Sequence, residues 1–159
     1  LTIVFFWVFL QNFEIFRTDS DIAVPYGTFK RISSETPKEQ IWDWNEVVRI
    51  AKGKTKTAFQ VVSNCSTKSK RELYVEELKR HMNITLVGNC NNSPCDAECE
   101  ENLVAQHRFY LAFENSVCRD YITEKSYKRM ESLLVPIVFK KTFYELTLPP
   151  GSFIAADDF

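Results

Sequence analysis

Two polar stretches of the chain carry the residue types that bind phosphate and sugar. The first is Ser63 to Arg71, SNCSTKSKR, which runs into a helix start. A helix N-terminus attracts anions through its unpaired N–H groups and its dipole. An arginine in the first turn adds a fork that matches two phosphate oxygens. On pattern alone, Arg71 reads more readily as a solvated arginine on an exposed helix face. The second stretch is Glu114 to Lys125, ENSVCRDYITEK, delivered by an apolar run. Asn115 can read a base or sugar edge, and Tyr121 offers a ring and a hydroxyl. Glu124 and Lys125 are adjacent, so they point to different helix faces. Lys125 could neutralise phosphate while Glu124 accepts sugar hydroxyls. The same letters also suit an ordinary helix start, where Asp120, Thr123 and Glu124 are favoured caps.

Other candidates are weaker. Asp19-Ser20-Asp21 pairs two carboxylates that could hold a divalent metal, or could simply cap a turn. His81 and His107 are isolated, and no Ser-His-Asp or Cys-His order stands out.

The elements that must position these groups follow from apolar periodicity. Residues 1–16 read as a strand, and Arg17 to Gly27 as a loop punctuated by Pro25 and Gly27. Thr36-Pro37 opens a helix with Ile41, Trp44, Val47, Val48 and Ala51 on one face, stopped at Gly53. Ala58 to Val62 is a strand. Ser69 and Glu72 have capping-box spacing and start a helix through Met82, with Leu73, Leu78 and Met82 inward. Ile84 to Val87 is a strand ending at Gly88, followed by a cysteine-rich loop and an acidic helical stretch. Phe109 to Phe113 is a strand, Tyr121 to Ser132 a helix, and Leu134 to Phe139 another strand. Thr142 to Leu146 fits one helical turn before Pro149-Pro150. Short apolar strands alternating with amphipathic helices predict an α/β fold, a parallel sheet covered on both faces. Ligands in such sheets sit at the carboxyl ends of strands. Those ends are Ser63 to Arg71, Gly88 to Cys99, and Glu114 to Lys125.

Composition narrows the chemistry. The chain has 159 residues, 45% apolar and 26% charged, with net charge −1. That is enough for one domain with a core, and it lacks the basic footprint of a nucleic-acid binder. Its four glycines, 27, 53, 88 and 151, are too scattered for a Walker or dinucleotide loop. The five cysteines are Cys65, Cys90, Cys95, Cys99 and Cys118. Their clustering admits a zinc site with His107, but it lacks the usual C-x2-C pairs, so disulfides in an oxidising compartment are expected. Cys65 and Cys118 end neighbouring strands near one cleft and are expected to pair, with Cys90, Cys95 and Cys99 left open. Sequons at Asn64, Asn83 and Asn91 fit a lumenal chain, Asn83 being the most usable. The apolar run Leu1 to Leu10 is too short to span a bilayer and reads as a buried strand, a signal core or an anchor stub.

The stretch 108–130, RFYLAFENSVCRDYITEKSYKRM, closely resembles the signature of the α1,3-fucosyltransferases, glycosyltransferase family 10. That pattern runs roughly K-F-Y-L-x-F-E-N-S-x-x-x-D-Y-x-T-E-K, and Arg108 stands where it has lysine. The likeness extends through LLVPIVF (133–139), LPPGSFIAADDF (148–159), VVSNC…R (61–71) and FRTDSDIAVPYG (16–27). The cysteine pattern looks like the invertebrate branch.

The resemblance implies a Rossmann-like parallel sheet, the donor-binding domain of a GT-B type glycosyltransferase. Residues 1–53 would close an acceptor-binding domain and supply a linker helix. Residues 54–159 would form the GDP-fucose-binding domain, truncated at its C-terminus. Matching positions imply that Arg71 and Lys125 hold the diphosphate. Asn115, Tyr121 and Glu124 would contact guanosine and fucose groups, with Ser63 at the nucleotide. GDP-fucose is the donor, and no metal or other cofactor is implied. The implied reaction is inverting transfer of L-fucose from GDP-β-L-fucose to a hydroxyl of N-acetylglucosamine, in α1,3 linkage, on a glycan or glycoprotein acceptor. A carboxylate general base is expected upstream of this chain. The implied location is the Golgi membrane, with a lumenal catalytic domain and an anchor in the full-length type II protein. The alternative is a catalytically incomplete GDP-sugar-binding fragment or pseudoenzyme lacking that base.

Overall fold

In the computed structural model, which describes residues 16–159, strands pair through apolar residues that alternate in facing. Of the strand expected over residues 1–16, all but Phe16 lies outside the described residues, and Phe16 sits in a turn. The sheet contains β1 (Lys56–Val61), β2 (Ile84–Val87), β3 (His107–Leu111), β4 (Val135–Val138) and β5 (Ile154–Ala155). Their order is β2-β1-β3-β4-β5, with every pairing parallel. The helices are α1 (Trp44–Gly53), α2 (Arg71–Leu78), α3 (Ala97–Gln106), α4 (Glu124–Glu131) and the one-turn α5 (Lys141–Tyr144).

Period-two alternation divides the apolar residues between two cores. Phe59, Tyr110, Ala112 and Val138 lie in one, joined by Leu103 of α3, Tyr127 of α4 and Tyr144 of α5. Ala58, Leu111, Phe113 and Ile137 lie in the other, joined by Val75 of α2. The sheet is thus covered on both faces, as the sequence predicts. From β1 the chain moves outward to β2, then crosses back to β3 and continues to β4 and β5. The direction reverses between β1 and β3, so the loops leaving them diverge and open a crevice at their carboxyl ends.

Buried polar groups fasten the helices to this sheet. The Lys54 ammonium donates to the carbonyls of Val104 (2.8 Å) and Ser132 (3.2 Å), at the carboxyl ends of α3 and α4. Burial pushes its pKa below the usual lysine value. Arg129 lies over the Tyr110 ring at 4.6 Å and bonds Glu100 of α3 at 2.6 Å. His107 is buried, with Nδ1 2.8 Å from the Leu103 carbonyl and Nε2 2.9 Å from the Thr85 hydroxyl. A carbonyl only accepts, so Nδ1 carries the proton and Nε2 accepts from Thr85. Burial lowers the His107 pKa and favours this neutral form. His107 is therefore a packed core residue, not a fourth zinc ligand.

Local chemistry shifted several element boundaries. Lys38–Gln40 makes only a 3-10 turn, and α1 waits for Asp43, whose carboxylate accepts from the Glu46 N–H at 3.1 Å. The capping box at 69–72 does not form. Lys70 is the cap, in the left-handed region, while Ser69 and Glu72 bond elsewhere. The helix ends at Leu78 rather than Met82, and Leu73, expected inward, is 66% exposed. Leu78 and Met82 do face the core. The helix expected from Tyr121 starts at Glu124, because Asp120 takes φ 62° and Thr123 caps the helix.

The disulfides are Cys65–Cys90 and Cys95–Cys99, with Cα separations of 5.1 and 5.3 Å. Cys118 lies outside both bonds, which corrects the expected Cys65–Cys118 pair. β1 has neighbours on both sides, and the β2 side supplies the partner. Val62 N–H bonds the Val87 carbonyl at 3.0 Å, and Cys90 N–H bonds the Val62 carbonyl at 3.3 Å. Gly88, at φ 100°, permits this approach, since a Cβ there would overlap the Val62 carbonyl. Peptide mapping without reduction should recover Cys65 with Cys90 and Cys95 with Cys99. Any peptide joining Cys118 to another cysteine would contradict this arrangement.

Candidate functional site

The loops leaving β1 and β3 are stitched together backbone to backbone. Ser69 N–H donates to the Asn115 carbonyl at 3.0 Å, and Ser69 Oγ to the Glu114 carbonyl at 2.7 Å. Arg71 sits beneath this seam at 5% exposure. Its Nη1 donates to the Phe113 carbonyl at 2.8 Å and its Nη2 to the Asn64 carbonyl at 3.3 Å. The structure thus excludes a solvated surface arginine. These bonds use two of the five guanidinium N–H groups. A cavity of about 160 Å³ adjoins Arg71, walled by Gln60, Glu72, Asn91 and the Cys65–Cys90 bond.

The second loop is organised by a carboxylate. Glu114 follows the buried run Leu111-Ala112-Phe113 and is itself 3% exposed. Its Oε1 accepts from Thr123 N–H (2.9 Å) and from Thr123 Oγ1 (2.8 Å). Its Oε2 accepts from Lys125 Nζ at 3.0 Å, and Lys125 Nζ also donates to Thr123 Oγ1 at 2.9 Å. Glu124 Oε1 lies 3.5 Å from the same Nζ, so the adjacent pair expected on different helix faces does meet, because the long lysine side chain folds back over the helix start. Burial, the largest single influence, would lower the Lys125 pKa, but the charge and hydrogen bond of Glu114, joined by the Glu124 charge, outweigh it, and the net direction is upward.

Tyr121 is half-buried, edge-on to Phe16 at 5.1 Å and to Tyr26 at 6.4 Å. Burial, then the nearby Glu114 charge, raise its pKa and hold the phenol neutral, so its hydroxyl remains a donor. The strap 16–29 forms this wall. Asp120 accepts from Thr18 N–H (3.2 Å) and Thr18 Oγ1 (2.8 Å). Gly27 lies against the Tyr127 ring, where a Cβ would come within 2.5 Å. Phe29 stacks on the same ring at 5.3 Å.

All six residues singled out in the sequence lie on the two loops or the helix starts they feed. Arg71 and Lys125 are anchored on the inner side, Asn115 and Tyr121 are half-buried, and Ser63 and Glu124 are exposed. Sequence reasoning missed Glu114, Ser69 and the double role of Thr123. The available signal was an acid placed directly after a fully apolar strand, a position that demands partners. Asp19 is paired through both carboxylate oxygens with Arg17, at 2.7 and 2.6 Å. The Arg17 bond holds the Asp19 pKa below the usual carboxylate range. Among the described residues, no three His, Cys, Asp or Glu side chains gather as metal ligands. Among them, too, no helix is long and apolar enough to cross a membrane.

Comparison with known proteins covers most of the chain. Residues 51–159 match the family model described as glycosyltransferase family 10 (fucosyltransferase) C-term. The chain is 39% identical over 149 residues to the α-(1,3)-fucosyltransferase fut-1 of Caenorhabditis elegans, covering 91% of this chain and 34% of the relative. It is 36% identical to α-(1,3)-fucosyltransferase C of Drosophila melanogaster, covering 91% and 37%. It is 35% identical to human α-(1,3)-fucosyltransferase 7, covering 91% and 40%. The chain thus spans a third to two-fifths of these relatives. A solved α1,3-fucosyltransferase structure superposes with TM-score 0.57 at 25% identity, over 67% of this chain and 31% of that one.

Thr123→Val keeps the side-chain shape but removes the α4 cap, a donor to Glu114 and an acceptor for Lys125. Denaturant unfolding should show a loss of about 2 kcal/mol. A change below about 0.5 kcal/mol would mean that the hydroxyl network does not hold the loop.

Proposed function

The chain belongs to glycosyltransferase family 10, the fucosyltransferases, and from that premise we propose that it forms the donor-binding part of an α1,3-fucosyltransferase. Residues 54–159 bind GDP-β-L-fucose, and residues 1–53 end the acceptor-binding domain and link the two. The observation that carries this reading is the placing of Arg71 and Lys125 beside the β1–β3 crevice, where a doubly wound sheet binds its ligand. The diphosphate lies on these cations and on the starts of α2 and α4. Asn115, Tyr121 and Glu124 meet the guanosine and fucose groups, and Ser63 the nucleotide.

Transfer inverts the anomeric carbon as a hydroxyl of N-acetylglucosamine, on a glycan or glycoprotein, displaces GDP. Negative charge grows on the departing phosphate oxygen, and fixed cations stabilise it there more than in the ground state. The carboxylate that deprotonates the acceptor belongs to the acceptor-binding part. The two disulfides and the exposed Asn83 sequon support a lumenal Golgi setting, with Asn83 glycosylated and the full-length protein membrane-anchored.

GDP binding by calorimetry should weaken about tenfold or more in Lys125→Ala and in Arg71→Ala, each losing a charge-assisted phosphate contact. Thermal melts must accompany Arg71→Ala, because Arg71 also ties the two loops. Unchanged affinity in both variants would overturn the diphosphate assignment. The full-length protein, given GDP-fucose and a lactosamine-type acceptor, should yield an α1,3-fucosylated product. GDP binding without transfer would instead favour a binding-only protein.

A further inference from the structure

Glu114 is the one buried carboxylate among the described residues, and binding the donor gives it no direct part. Burying an acid at the rim of an anion site is costly and electrostatically contrary. Its bonds show what it does instead. One oxygen takes both donors of Thr123, and the other takes Lys125 Nζ at 3.0 Å. Thr123 Oγ1, its proton committed to Glu114, accepts a second N–H from the same ammonium at 2.9 Å. Two of the three ammonium donors are therefore fixed to the loop, and tetrahedral geometry leaves one more, with the exposed Glu124 carboxylate 3.5 Å from the same nitrogen. Holding a long, flexible lysine side chain otherwise costs rotamer entropy.

We propose that Glu114 is a positioning residue, which aims the Lys125 ammonium at the donor diphosphate. This rests on the reading of Lys125 as a diphosphate ligand. The groups facing Lys125 are Glu114 and Tyr110 on the β3 segment, Glu124 on α4 and Tyr121 on the intervening loop. Tyr110 is buried, and that burial raises its pKa, so it stays neutral. Without Glu114, burial of Lys125 is opposed chiefly by the exposed Glu124, and its pKa falls. Only the protonated amine binds phosphate. The alkaline loss of affinity therefore moves to lower pH when Glu114 is neutralised.

The test is GDP affinity measured on the intact protein from about pH 7 to about pH 10, across the approach to the ordinary lysine value. Glu114→Gln should weaken GDP binding about tenfold at neutral pH and bring its alkaline decline about one unit lower. In a Lys125→Gln background, Glu114→Gln should have no further effect. An unmoved pH profile, or losses that simply add, would overturn the proposal. Should Glu114→Gln fail to fold, the Lys125 amine can be titrated by NMR in the unsubstituted protein. A value above the ordinary lysine pKa supports the proposal, and one at or below it overturns it. Absence of GDP binding by the unsubstituted protein would overturn the reading of the site, and this inference with it.

Discussion

A single buried guanidinium governs how this molecule presents its crevice. Arg71 reaches from the first turn of α2 to the Phe113 carbonyl at the end of the β3 run and to the Asn64 carbonyl on the β1 loop. In the doubly wound order these loops diverge, because their helices cover opposite faces of the sheet. Left alone they would expose unpaired carbonyls at the sheet's edge. Arg71 satisfies one carbonyl on each loop, and Ser69 completes the seam. The shape of the site is thus a by-product of meeting the hydrogen-bonding demand of two strand ends.

The same economy recurs on the other side of the sheet. Lys54 caps the ends of α3 and α4, and Arg129 bridges α3 to the aromatic core through Glu100. Cations thus join elements whose carbonyl ends or carboxylates would otherwise stand unpaired. Buried His107 achieves this without charge, its tautomer fixed by a carbonyl on one side and a hydroxyl on the other. Since α4 carries Lys125 at its N-terminus and rests on Lys54 at its other end, supports distant from the crevice also set the position of the site.

Much of this was legible in the sequence, for definable reasons. The strands and their parallel arrangement follow from short apolar runs separated by amphipathic helices, a periodic signal that tolerates local error. The crevice residues were legible because the 108–130 stretch is specific. Boundaries were less so. Ser69 and Glu72 have the spacing of a capping box, but Glu114 and Thr67 offer each a better partner from outside the window. Leu73 and Leu78 stand five residues apart, about 140° around a helix, so with Leu78 on the core Leu73 turns to solvent. The Cys65 partner depended on which neighbour of β1 sends its loop inward, and local sequence carries no strand order. Glu114 escaped notice because its purpose lies nine and eleven residues away, at Thr123 and Lys125.

One contact carries a consequence for the order of assembly. Thr18 and Asp120 are 102 residues apart, and they join the strap to the loop that bears Tyr121. The β1–β2 and β3–β4 pairings close much shorter loops. Closing the longer loop costs more chain entropy, and nothing repays it until both surfaces exist. The sheet can therefore condense before the aromatic wall of the crevice docks onto it. The wall is then also the first part to detach when the fold loosens. A ligand that touches both strap and loop would tie this late-docking wall to the sheet, and its binding would oppose the opening that parts them.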